Sequence, residues 1–116
     1  MARILLDTDI LVDHLRGDLR FDPRDDDLHV STITRAELSR AADDARVGRL
    51  LGAMKELPID AAVAERAGRI RRATGARLAA AFIAATALEH ELTLVTRNLW
   101  DFRGIDGLEA MSPEAR

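Results

Sequence analysis

Apolar and polar residues alternate along this chain in blocks that change period. Ile4-Leu5-Leu6 is an unbroken apolar run that closes on Asp7, and Thr8-Asp9 then opens a segment with Ile10, Leu11 and Leu15 at helical spacing. That order predicts a buried parallel strand feeding a short helix, which Gly17 ends. Residues 18 to 28 are polar and turn-rich, and the acidic run Asp25-Asp26-Asp27 reads as a solvated loop. His29 to Ile33 predicts a second strand. Thr34 to Leu38 predicts a helix opened by a capping box, with the Thr34 hydroxyl at the cap and Glu37 three residues on.

From Arg46 to Leu57 an apolar stripe of Val47, Leu50, Leu51, Met54 and Leu57 predicts one amphipathic helix. Leu57 to Asp60 is at most a short strand. Ala61 to Thr74 repeats the stripe with Val63, Ala67 and Ile70, turns Arg66, Arg69, Arg71 and Arg72 outward, and stops at Gly75. That arginine face reads as a solvated surface, with contact to RNA as the alternative. Leu78 to Leu88 is apolar almost all round, a helix covered on more than one side by the fold or by a dimer. Leu92 to Thr96 predicts a strand that delivers Arg97 and Asn98 at its end, and Leu108 begins a last short strand. Strands alternating with helices and no hairpin signal imply an α/β fold, a three-layer α/β/α sandwich around a parallel sheet. With 116 residues it is a single domain over 1–116, with no internal repeat or linker.

Composition narrows the chemistry. There is no cysteine, which removes disulfides, thiolate metal sites and a cysteine nucleophile. Any metal has to be held by oxygen or imidazole. A net charge of −3 argues against a generic duplex binder, but only weakly against an RNA-cleaving enzyme whose acids hold metal. No run reaches the ~18 apolar residues of a membrane span, and an acid at position 7 comes too early for a secretory signal, so a cytoplasmic protein is expected.

Asp7, Glu37 and Asp101 each follow a strand or stand one turn into the next helix, and in a right-handed parallel sheet such positions converge on one edge. Three clustered carboxylates cannot all stay ionised without a cation, and hard oxygen donors of this kind suit Mg²⁺ or Mn²⁺. Each acid also has an ordinary structural role open to it. Asp7 suits a helix cap, Glu37 the capping partner of Thr34, and Asp101 a turn paired with Asn98.

The whole chain resembles the PIN-domain ribonucleases, and within them the toxins of VapBC toxin-antitoxin systems. The resemblance rests on Leu5-Leu6-Asp7-Thr8-Asp9-Ile10-Leu11 and on Ser31 to Leu38. Most specific is Ile83-Ala84-Ala85-Thr86-Ala87 followed by Leu94-Val95-Thr96-Arg97-Asn98-Leu99-Trp100-Asp101-Phe102. It implies an Mg²⁺-dependent endoribonuclease in which Asp7, Glu37 and Asp101 serve as metal-binding and catalytic acids and Thr8, Thr96 and Asn98 support them. It also implies RNA as substrate, a small antitoxin protein as partner and a homodimer. One position departs from the pattern. Family members usually carry an Asp three residues before the Ile-Ala-Ala-Thr-Ala run, where this chain has Ala80, so a principal carboxylate is missing and activity is expected to be impaired. The rival is a non-catalytic PIN-like domain that dimerises and binds an antitoxin or RNA without cleavage. A haloacid-dehalogenase-like phosphotransferase built on Asp7-x-Asp9, and a phosphoacceptor receiver domain, both lack a well-placed lysine, since Lys55 is the only one.

Overall fold

In the computed structural model, which describes residues 1–18 and 20–116, five parallel strands form one sheet. In chain order these are β1 (Arg3–Leu6), β2 (Asp27–Ser31), β3 (Lys55–Leu57), β4 (Thr93–Val95) and β5 (Ala110–Met111). Five helices connect them: α1 (Thr8–Arg16), α2 (Thr32–Leu38), α3 (Asp44–Leu51), α4 (Ala61–Thr74) and α5 (Leu78–Glu89). A 3-10 turn, Leu99–Phe102, follows β4, and a second, Pro113–Ala115, closes the chain.

The spatial order β3-β2-β1-β4-β5 puts the first strand in the middle. The chain moves outward through β2 and β3, then crosses back to β4 and continues to β5. The winding direction therefore reverses between β1 and β4, and a crevice opens beyond the carboxyl ends of those two strands. The Asp7 amide donates to the Val95 carbonyl at 3.0 Å, carrying the β1–β4 ladder one residue past the strand and fixing Asp7 at that crevice.

Alternation along β1 builds the three layers. Ile4 and Leu6 pack with Val30, Val95 and the apolar stripes of α1, α2 and α3, whereas Leu5 packs with Leu94 and the facing sides of α4 and α5. Gly17 and Gly75 end α1 and α4 in the left-handed conformation, at φ 77° and 74°, a backbone shape that glycine adopts without strain.

Helix α4 keeps the bounds its periodicity predicts, and the all-apolar segment is α5, with Ala80, Ala81 and residues 83–87 buried. Most of it is covered by neighbours within the chain, while Leu78 at its start stays exposed, with Met1, Leu99 and Trp100, among the large apolar side chains of the described residues.

Three local expectations need correction. The stripe from Arg46 to Leu57 is not one helix: Asp43 caps α3, which ends at Leu51, and after a turn through Gly52 and Ala53 the chain enters β3 at Lys55. Apolar spacing continued across the turn because Met54 and Leu57 pack against the two cores from loop and strand positions. Helix α2 starts earlier than expected, with Ser31 as its cap accepting from the Ile33 amide at 3.2 Å. Thr34 is fully buried inside that helix and caps nothing. The acidic run is also more than a solvated loop, because Asp27 begins β2 and Asp26 accepts from the Ala2 amide and from Arg116.

The fully buried alanines of α5 set how closely this helix approaches α4 and the sheet. Ala84→Leu should therefore overpack the core and cost about 1–3 kcal/mol, read as a lower urea midpoint at unchanged slope.

Candidate active site

The crevice at the winding reversal is a cleft of about 360 Å³ lined by Asp7, Asp9, Asp13, Glu37 and Asp101, with Arg16 and Arg77 as the cations on its wall among the described residues. Asp7 comes from the end of β1, Glu37 from the second turn of α2, Asp101 from the 3-10 turn after β4, and Ala80 from the first turn of α5. Four segments distant in sequence thus meet at one edge, and the side chain of Ala80 faces the same space.

Asp7 is 8% exposed and is held on both oxygens. Its Oδ1 accepts from the Thr8 amide at 2.8 Å, and its Oδ2 accepts from Thr96 Oγ1 at 2.7 Å. Thr96 Oγ1 in turn accepts from the Asn98 amide at 2.9 Å, and its single proton lies between Asp7 Oδ2 at 2.7 Å and the more distant Asp9 Oδ2 at 3.4 Å. A similar relay positions Glu37. Thr8 Oγ1 donates to Glu37 Oε1 at 2.7 Å and sits 3.0 Å from Thr34 Oγ1, so Thr34 supplies the proton of that second contact. Glu37 is therefore not a capping partner; with Ser31 at the cap, its carboxylate is directed to the cleft. Asp7 fills both of its expected roles, capping α1 and lining the cleft. The Asp101 backbone amide does turn back to the Asn98 carbonyl, but its carboxylate pairs with Arg77 at 3.1 Å.

Burial pushes the Asp7 carboxyl up to about 6, helped by the negative charges of Asp9 and then Glu37, against the two hydrogen bonds that favour its anion. Asp9 is also raised, chiefly by burial. In the sequence Asp9 stood only in the Asp7-x-Asp9 pair of the phosphotransferase alternative and not among the ribonuclease site residues, yet its Oδ2 accepts from the Arg97 amide at 3.0 Å while its Oδ1 is buried without a hydrogen-bond partner. Asp13, one turn further along α1 and paired with Arg97, was also missed, as was Arg77. The i, i+4 spacing of Asp9 and Asp13 after Asp7 was a legible sign that α1 presents more than one acid to the same side.

The donor set is made of hard oxygens in negative excess, with one buried carboxylate oxygen unpartnered, and this suits a divalent cation. Among the described residues, however, no three acidic or imidazole side chains stand close enough to hold a metal unaided. The fit is to an ion held directly by one or two carboxylates and otherwise by water, the coordination habit of Mg²⁺.

A family model for the PIN domain matches residues 4–108. The chain belongs to the PIN-domain family. Ribonuclease VapC10 of Mycobacterium tuberculosis is 38% identical to it, with 85% of each chain covered. A chain in a toxin-antitoxin complex from Klebsiella pneumoniae is 30% identical, with a TM-score of 0.74 over 95% of this chain and 97% of that one. The fold is shared with DNA-bound VapBC from Salmonella typhimurium, at a TM-score of 0.76 and 21% identity over 97% of this chain and 99% of that one. PIN-domain nucleases of the VapC type are generally dependent on a divalent metal. No helix among the described residues of this PIN domain is long and apolar enough to cross a membrane.

The raised Asp7 carboxyl has a consequence for stability. A carboxyl whose folded value lies above its unfolded one favours the fold fully at pH below about 4, and that advantage is lost as pH rises through about 6. Ionised Asp7 thus costs the metal-free protein about 3 kcal/mol at neutral pH. Asp7→Asn should therefore raise metal-free stability at pH 7.5 by about 1–3 kcal/mol in urea melts, and the gain should disappear at pH 4.

Proposed function

We propose that this PIN domain is a VapC-type ribonuclease toxin that hydrolyses single-stranded RNA with a divalent cation, Mg²⁺ or Mn²⁺, and is held in check by a small antitoxin protein. The observation that carries the reading is the meeting of Asp7, Glu37 and Asp101 in one cleft at the sheet's winding reversal, supported by the 38% identity to a ribonuclease. A polyanionic substrate cannot approach five carboxylates lining one cleft unless positive charge is added there. A cation bound in the cleft would supply that charge, lower the pKa of a bound water and stabilise the phosphorus-centred transition state.

The chain's own residues prepare the place. Asp7, with Glu37 or Asp101, would hold the ion, and Thr96 and Thr8 orient two of these carboxylates through hydrogen bonds of 2.7 Å. Asn98 fixes Thr96 through its backbone amide. Arg77, 79% exposed at its side chain, balances Asp101 and would be free to reach a phosphate oxygen if a cation took over that charge.

Ala80 is the weak point. Its 5% exposure and its place on the cleft wall mean that a carboxylate at this position would enter the donor set, while the methyl group contributes none. Position 80 is also in the first turn of α5, whose cap residue Arg77 makes no side-chain capping bond, so an acid there would meet the positive end of the helix dipole. The same residue favours the rival reading, a non-catalytic PIN domain that binds its antitoxin or RNA without cutting. The phosphotransferase reading has less support, because Lys55 pairs with Asp27 at the opposite, amino end of the strands.

Ala80→Asp should raise Mg²⁺-dependent cleavage of single-stranded RNA roughly a thousandfold, about 4 kcal/mol of transition-state stabilisation, and make the chain toxic when expressed without an antitoxin. Adding Asp7→Ala should abolish both effects. Cleavage that stays absent in a folded Ala80→Asp protein would decide for the non-catalytic reading, and cleavage equal to that of the chain as it stands would remove the role given to position 80.

A further inference from the structure

Trp100, the single tryptophan of a chain with 3% aromatic residues and no tyrosine, is 72% exposed. It lies on the same 3-10 turn as Asp101, one residue away from a cleft acid. The Arg103 guanidinium lies 4.0 Å from the centre of its indole ring, and Arg103 Nη1 donates to the Trp100 carbonyl at 2.9 Å. This anchors one side of the ring and leaves most of it open. A second, smaller hollow of about 160 Å³ runs beside it, lined by Thr74–Arg77, Trp100, Asp101 and Arg103. Arg77 and Asp101 line this hollow and the acidic cleft alike, so the two depressions meet at their ion pair.

The indole is left out of the core and presents a flat apolar face beside the cleft. The charge around it indicates what that face can bind. The acidic cleft repels phosphate, whereas the adjoining hollow carries two guanidiniums, Arg77 and Arg103, beside a flat aromatic surface. Stacking on an aromatic ring with arginine at the backbone is how single-stranded nucleic acid is held without base-pair readout. A partner of apolar chemistry would bury the Arg77–Asp101 ion pair and the Arg103 guanidinium at a desolvation cost.

We propose that Trp100, Arg103 and Arg77 form a base-stacking subsite in which a nucleobase next to the scissile phosphate lies on the indole, while Arg77 and Arg103 contact the flanking phosphates. Trp100 is then a positioning residue that sets the register of a single strand across the cleft. A double helix, whose bases are already stacked, cannot use it. This deepens the ribonuclease reading and rests on it.

Because Trp100 is the sole tryptophan, its emission reports the subsite directly. Titrating the full chain with a single-stranded octaribonucleotide should quench that emission saturably, whereas the same sequence as a duplex should not. Trp100→Ala should weaken binding of the octamer, measured by fluorescence anisotropy of a labelled strand, roughly ten- to hundredfold, and Trp100→Phe should recover most of it. In the Ala80→Asp background, Trp100→Ala should raise KM by a similar factor with kcat changed less than about threefold. Unquenched emission, or octamer affinity and KM that Trp100→Ala leaves unchanged in a folded protein, would overturn the subsite while cleavage by Ala80→Asp upheld the nuclease. Saturable quenching without cleavage by Ala80→Asp would do the reverse. Emission that changes with protein concentration alone, with Trp100→Ala converting a dimer to a monomer, would assign the indole to a contact between copies and also overturn the proposal.

Discussion

Everything at the cleft depends on a carboxylate buried at the end of the central strand. Apolar β1 delivers Asp7 into a space where β4 lies on one side and the first turn of α1 directly follows. Water that would normally solvate the anion is replaced by two donors, Thr96 Oγ1 and the Thr8 amide, and those are not enough to restore an ordinary carboxyl. The group is held in place but left under-compensated. Glu37 and Asp9 add to that imbalance, and Asp9 keeps one oxygen with no partner at all. A fold that spends stability on a pocket of excess negative charge is arranged for something positive to enter it.

The supporting contacts show how the rest of the chain serves this constraint. Thr96 reaches Asp7 across 89 positions of sequence and Thr8 reaches Glu37 across 29, so neither acid is oriented by its own helix or strand alone. Because Thr34 is buried and Ser31 takes the cap, α2 places Glu37 in its second turn, on the side facing α1. On the far rim, Arg77 pairs with Asp101 and separates the acidic cleft from the hollow beside Trp100. Ala80, on the wall of the acidic cleft, adds a methyl group and no charge to it.

Much of this was legible in the chain itself, for physical reasons. The run Ile4 to Leu6 ending in Asp7, the stripe of α4 and the all-apolar α5 carry strong periodicity with clear stops at Gly17 and Gly75, and each element lies where its pattern places it. The order of strands and helices was enough for a parallel sandwich and for bringing Asp7, Glu37 and Asp101 to one edge. Illegible parts were those where tertiary contact decides between local alternatives. A hydroxyl at Ser31 and another at Thr34 can both cap a helix, and packing of Thr34 against Thr8 settles which does. The helix-like stripe through Met54 and Leu57 gives way to β3 because the β2 edge offers backbone hydrogen bonds that a local pattern does not reveal. Asp9 shows in the sequence only as an acid spaced after Asp7; that one of its oxygens is left unpaired is decided by the surrounding fold.

The central claim is that Asp7 is a buried, under-compensated acid whose charge a cation satisfies, and the most direct measurement is its own titration. Carboxyl carbon-13 NMR of aspartate-labelled protein, with Asp7 assigned through Asp7→Asn, should give a midpoint near 6 without metal. Addition of Mg²⁺ should drive that midpoint downward, because the ion competes with the proton for the same oxygens. A midpoint in the ordinary aspartate range, or one near 6 that saturating Mg²⁺ does not move, would contradict the account.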